Sequence, residues 1–250
     1  MRKGPPAVAI TFDDGFQNNH DIALPILRDF NLPATIFLNT AFVGTDDWHW
    51  YCRVHSAVST TQKTEFTWRG ERFAFNSIAA KAAASSRLRE LLKNQTHQSL
   101  LSEMTALVSD LGSDPQSHVP SNSVYRILDH NSIAKCLDSR LISFGAHTRH
   151  HTILSKLSNL EQKSEIVDSI RDVEQLTGQP CSSFAYPNGG SQDYNDASLT
   201  IIKETNIEVA VTTQPSANSP TSDPFQLGRY GIGCGTAPAF FQKQVHHLAT

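Results

Sequence analysis

The sequence lacks the features that mark several classes of protein. Its four cysteines, Cys52, Cys136, Cys181 and Cys234, include no Cys-x-x-Cys pair. That excludes a zinc ribbon or a redox motif and leaves reduced, mostly buried thiols. No apolar run is long enough to span a bilayer. Met1-Arg-Lys-Gly-Pro-Pro6 leads at once into Ala7-Val-Ala-Ile-Thr11, too short for the apolar region of a signal peptide, so a cytoplasmic location is expected. Charge of one sign is also missing: 21 Lys and Arg against 24 Asp and Glu give a formal net charge of -3. No basic patch favours nucleic acid or an anionic membrane. Internal repeats and low-complexity tracts are absent. What remains is 250 residues, 39% hydrophobic and 18% charged, an ordinary globular composition with enough chain to bury a full core.

Within that composition, short apolar runs alternate with helical patterns. Ala7–Thr11 reads as a strand, followed by a helix capped by Asn18 or Asn19 that carries Ile22, Ala23, Ile26, Leu27 and Phe30 on one face. Asn31-Leu32-Pro33 ends it, and Ala34–Leu38 is a second strand of the continuous apolar kind that parallel sheets bury on both faces. From about 44 to 123 the pattern changes to an inserted segment: an expected hairpin around Arg69-Gly70-Glu71, two helical stretches and a polar, proline-containing connection. The three tryptophans, Trp48, Trp50 and Trp68, all fall here. They can stack on sugar rings, which makes Trp50 a candidate substrate contact, or seal the insertion against the rest. The alternation then resumes. Asp129 or Asn131 caps a helix, Leu141–Gly145 is a strand, and Ser158 with Glu161 forms a capping box for a helix ending at Thr177-Gly178. Cys181–Tyr186 and Ile207–Thr213 are strands, Asp196–Thr205 is a helix, Phe225–Ile232 is a last strand and Ala239–Leu248 a terminal helix. Such β/α alternation predicts a barrel or a doubly wound sheet in a single domain over 1–250.

Three chemistry-bearing stretches each follow a predicted strand, where barrel active sites are built. The first is Asp13-Asp14-Gly15, which reads either as a solvated turn or as a pair of carboxylates given a cation or a proton to hold. The second is His147-Thr148-Arg149-His150-His151, and the third is Pro187-Asn188-Gly189. Carboxylates at one strand end and imidazoles at another are the ingredients of a metal site.

These residues carry a resemblance. Thr11-Phe-Asp-Asp-Gly15 resembles the first motif of the polysaccharide deacetylases (the NodB-homology, carbohydrate esterase family 4 group), and His147-Thr-Arg-His-His151 resembles their His-Thr/Ser-x-x-His motif. Phe184–Gly189 is similar to the third motif in a variant form. The resemblance implies a distorted (β/α) TIM-like barrel of seven strands, with the insertion after the second. It also implies a divalent metal, zinc first with cobalt, manganese or nickel as alternatives, and hydrolysis of acetyl groups on a sugar or polysaccharide. The family pattern assigns Asp14, His147 and His151 as metal ligands and Asp13 as general base. Imidazoles four apart fall on one side of a helical turn, so His147 and His151 can converge on one ion. His150 is a rival ligand one residue off the motif. Thr148, Tyr186 and Pro187 become candidate substrate contacts, and the Asn188 turn a candidate oxyanion site.

Two departures from the family pattern matter. Ala185 stands where an arginine usually opens the third motif, and no Leu-x-His supplies a catalytic acid. Arg229, in Gln226-Leu-Gly-Arg-Tyr-Gly-Ile232, is the candidate to orient Asp13 in place of the missing arginine. Three other readings share these motifs: an O-acetyl esterase, a cyclic amide hydrolase, and a catalytically silent glycan-binding barrel.

Overall fold

A computed structural model describes residues 7–233, 235–239 and 241–242. The chain divides into two compact units, Met1–Val43 with Leu128–Thr250, and Gly44–Ile127.

The first unit is built on a five-stranded, wholly parallel, curled sheet in the order β1 (Ile10–Phe12), β2 (Ala34–Leu38), β5 (Ile142–Ala146), β6 (Ser183–Ala185) and β7 (Val209–Val211). The numbers β3 and β4 belong to the second unit. Parallel neighbours need a crossover, and α1 (Leu24–Phe30), α5 (His130–Asp138), α6 (Asn159–Thr177) and α7 (Asp196–Lys203) lie between successive strands. Alternation along the strands separates two apolar layers. Ile36, Leu38, Phe144, Ala146, Phe184 and Ala210 join the helices in one core, while Phe37, Ala185 and Val211 pack with Leu227 in a smaller cluster.

Local sequence accounts for the helix ends. Asp129 caps α5 by accepting the Ser132 N–H at 2.7 Å. Ser158 and Glu161 form the reciprocal capping box of α6, which ends at Gly178 in the left-handed region. Neither Asn18 nor Asn19 caps the first helix through its side chain. The chain enters α1 through a π-helical turn, Asn19–Ala23, with Asn18 before it. The apolar face expected there is also split. Leu24 and Leu27 are buried, whereas Ile22, Ile26 and Phe30 are exposed, because α1 is apolar on more sides than one sheet can cover.

Seven strands were expected and five form the parallel sheet among the described residues. The segment expected as a last strand, 225–232, makes a single parallel bridge, Val211 to Leu227. At the next residue, Gly228, a Cβ would lie 2.8 Å from the Gln214 carbonyl oxygen and closer still to Ser216 Oγ. Backbone hydrogen bonds still tie the segment to β7 and the residues after it, Leu227 N–H to the Ala210 carbonyl at 2.9 Å, Thr212 N–H to the Leu227 carbonyl at 2.8 Å and Arg229 N–H to the Gln214 carbonyl at 3.0 Å, without a continuous ladder. The terminal helix expected over 239–248 lies almost wholly outside the described residues.

The second unit packs α2 (Trp50–Thr60), α3 (Ile78–Lys93) and α4 (His97–Asp110) around Val54, Val58, Leu88, Leu92 and Leu107. A hairpin of β3 (Glu65–Trp68) and β4 (Glu71–Ala74) turns at Arg69-Gly70, both at positive φ.

Candidate metal centre

The site is assembled where β1, β5, β6 and β7 end. Past Phe12 the backbone turns sharply. Asp14 has φ 71° and Gly15 φ 67°, and a Cβ on Gly15 would come within 2.7 Å of Leu38 Cδ2. Glycine takes that left-handed position without strain, and a side chain there would have to displace the Leu38 methyl.

Past Ala146 the chain delivers His147, whose N–H donates to the Leu38 carbonyl at 2.9 Å. Its ring is buried, and Nδ1 lies 2.7 Å from the Ala185 carbonyl oxygen. A carbonyl only accepts, so Nδ1 carries the proton and Nε2 presents a lone pair. That Nε2 lies 3.5 Å from Asp14 Oδ1, and His151 Nε2 lies 3.3 Å from the same oxygen. One donor atom from each of Asp14, His147 and His151 falls within 4.8 Å of the others. Two imidazoles and a carboxylate, with one imidazole locked in the ligating tautomer, fit a divalent ion such as zinc. Electrostatics agree. Burial opposes a charge on His147, yet the neighbouring carboxylates of Asp14 and Asp13 outweigh it and hold its pKa above the ordinary imidazole value. The pocket favours a cation.

The histidines converge by a different route from the one the spacing suggests. Residues 147–151 are not helical, and Thr148 and His151 sit at φ 63° and 53°. Positive φ is costly for a residue other than glycine, about 1–3 kcal/mol each, and most unusual for a β-branched one. Of the seven non-glycine residues at positive φ among those described, Asp14, Thr148, His151 and Asn188 (φ 59°) are all in the strand-end loops; the others are Asn31, Arg69 and Arg140. Backbone strain of this kind clusters where a fold holds functional groups.

Asp13 takes the other side. Arg229 grips it with a fork, Nη1 to Oδ1 at 2.7 Å and Nη2 to Oδ2 at 2.8 Å. The guanidinium is itself fixed by the Thr212 carbonyl (Nε, 2.9 Å), by Thr11 Oγ1 (3.1 Å) and by the Phe37 ring 5.7 Å away. Planar, bidentate contact of this kind orients a carboxylate as a lysine cannot.

The remaining candidates divide by burial. His150 turns away from the three donors and places Nδ1 2.6 Å from Glu165 Oε1. Arg149 faces Asp172, with Nε 3.0 Å from Oδ2. Tyr186 is fully buried, stacks on Tyr194 at 4.2 Å and donates its hydroxyl to the Phe225 carbonyl, so its ring has no face for a substrate. Trp50 belongs to the core of the second unit at 4% exposure, for the same reason a packing residue. Pro187 is buried as well. Thr148 Oγ1 and Asn188 Nδ2 are buried atoms without a hydrogen-bond partner among the described residues. Sequence reasoning missed Glu165, Asp172, Thr11 and Thr212 as supports; Thr11 alone carried a signal, as the first residue of the Asp-Asp-Gly motif.

A model of the family described as polysaccharide deacetylase matches residues 1–210. The chain belongs to the polysaccharide deacetylase family. It is 30% identical over 241 residues to YxkH of Bacillus subtilis (strain 168), named as a polysaccharide deacetylase; the match takes in 96% of this chain and 57% of that protein, so the chain spans little more than half the length of its relative. Two solved structures share the fold. The deacetylase PplD of Streptococcus pyogenes, in complex with acetate, aligns at TM-score 0.59 and 20% identity over 97% of this chain and 73% of its own. IcaB of Ammonifex degensii aligns at 0.57 and 16% over 97% and 72%. Among the described residues, no helix is long and apolar enough to cross a membrane.

Proposed function

We propose that the protein is a metal-dependent hydrolase that removes acetyl groups from an N-acetylated sugar or polysaccharide. The observation that carries this reading is the pairing of two sites at adjacent residues: a three-donor cluster on Asp14 and a guanidinium-oriented carboxylate at Asp13. Family membership supports the same conclusion. Asp14, His147 and His151 would hold the ion, which when bound supplies Lewis-acid activation of water and of the acyl group. Asp13 takes the proton of the attacking water. The Arg229 fork occupies one lone pair on each Asp13 oxygen and leaves others to accept that proton. Asn188, half-buried in the turn after β6, is the candidate to meet a developing oxyanion, whereas Thr148 is as fully buried as Tyr186 and serves the loop and not the substrate. Tyr186 and Trp50 have no part in this reading, because both rings are buried.

The test is acetate release from N-acetylglucosamine oligomers, acetylated xylan and small cyclic imides, each measured after chelation and after zinc, cobalt, manganese or nickel add-back. Release from the oligomers, abolished by chelator and restored by metal, is the expected result. Preference for acetylated xylan or for imides would reassign the leaving group on the same scaffold. Inactivity on all three despite bound metal would favour a glycan-binding barrel.

A further inference from the structure

The loop that carries His151 does not hold its shape through its own hydrogen bonds, since residues 148–151 form no helical turn and two of them lie at positive φ. Its supports come from elsewhere. On one side, the Ala41 N–H donates to the Arg149 carbonyl at 3.0 Å. On the other stands α6, with two carboxylates seven residues apart and so on one helix face. Glu165 Oε2 accepts the backbone N–H groups of both Arg149 (2.9 Å) and His150 (3.0 Å), and Oε1 takes the His150 ring. Asp172 Oδ2 accepts Arg149 Nε at 3.0 Å and Thr40 Oγ1 at 2.7 Å, tying the loop to the segment after β2. The Glu165 side chain is only 13% exposed, and its removal takes away the acceptor of two backbone N–H groups and of one ring.

We propose that Glu165 and Asp172 are positioning residues for the metal-binding loop: by clamping residues 149 and 150 from α6 they hold His151 against Asp14 and His147, and so set how tightly the site retains a divalent cation. The inference rests on the reading of Asp14, His147 and His151 as ligands. Neither carboxylate reaches the three donors. Their effect falls on affinity and not on chemistry once the ion is bound.

The experiment measures zinc dissociation constants of the full chain by competition with a chromogenic chelator, with the cobalt absorption spectrum as a second readout. Glu165→Ala is expected to weaken zinc binding about 10- to 100-fold, the range seen when supports of metal ligands are removed. Glu165→Gln should lose less, because its amide oxygen still accepts a backbone N–H, and Asp172→Asn should weaken binding about threefold or more, within the same range or just below it. Asp168→Asn is the control on the same helix; it bonds Ser164 and Arg171, away from the loop, and should bind zinc as the wild type does. At saturating zinc, kcat of the clamp variants should stay within about threefold of wild type, since the ligands and Asp13 are untouched. A purely structural role would lower the melting temperature of the metal-free protein and leave zinc affinity unchanged. Folded Glu165→Ala with wild-type affinity would overturn the proposal. Should that variant not fold, wild-type affinity in both Glu165→Gln and Asp172→Asn would overturn it. Failure of the wild type itself to bind zinc or cobalt would instead remove the ligand assignment beneath it.

Discussion

Asp13 and Asp14 are neighbours in sequence, yet the two halves of the site they belong to are built by different means. On the Asp14 side the chain accepts backbone strain. Three residues at positive φ, Asp14, Thr148 and His151, bring a carboxylate and imidazoles into mutual range, with Ala185 fixing one ring. On the Asp13 side the work is done by side-chain hydrogen bonds. One guanidinium, itself pinned at Thr11 and Thr212, orients one carboxylate. The first half gathers three candidate ligand atoms; the second leaves a carboxylate oriented and with lone pairs to spare. Adjacent residues of one type thus sit in different environments, and in the proposed reading that gives them separate roles.

Substitutions can separate the halves. The largest effect is expected from His147→Ala and His151→Ala, each removing one of three ligands, so that metal content and turnover fall together toward background; His150→Ala should change both far less. Elemental analysis beside acetate release checks this, and full metal occupancy in His151→Ala would dissolve the distinction between the halves. Next comes Asp13→Asn, expected to keep its metal and to lose about 10²- to 10⁴-fold in kcat, the range of a positioned general base. Asp14→Asn should instead weaken metal binding, and an exchange of the two phenotypes would exchange the two roles. The smallest of the three is Arg229→Ala, for which kcat is expected to fall by about one to three orders of magnitude at unchanged metal content. Arg229→Lys should recover only part of that loss, because a point charge lacks the fork. Near-normal turnover in Arg229→Ala would mean that Asp13 needs no such partner.

How much of this could be read beforehand depended on distance along the chain. Caps and strand runs are local: Ser158 with Glu161, Asp129 as one of two cap candidates, the strand at 34–38 and the strand read at 141–145, one residue off the observed 142–146, were legible from a few neighbouring residues. The strand-end placement of the three motifs followed from the same local patterns. The convergence of His147 and His151 was anticipated through a helical spacing that the loop does not have; left-handed Thr148 and His151 achieve it, and no propensity argument favours a threonine there. Part of the shortfall in strand count falls at 225–232, where one bridge and a few backbone hydrogen bonds stand in place of a ladder whose apolar pattern looked adequate. Tyr186 and Trp50 have buried rings, which their sequence neighbourhoods do not reveal, because an aromatic looks the same in sequence whether its ring faces solvent or core. Glu165 and Asp172 were invisible for a further reason: on a polar helix face any carboxylate reads as solvated, and only the fold reveals which ones meet a loop 15 to 23 residues away.

The Arg229 contact also spans almost the whole polypeptide, 216 residues from Asp13. A nascent chain emerging from the ribosome already carries all three donors once His151 is made, and it carries the carbonyl that sets the His147 tautomer by Ala185. The guanidinium arrives only after some forty further residues, about two to eight seconds later at ordinary rates of elongation. In the proposed reading, a growing chain therefore contains every residue that would hold an ion before it contains the one that orients the base.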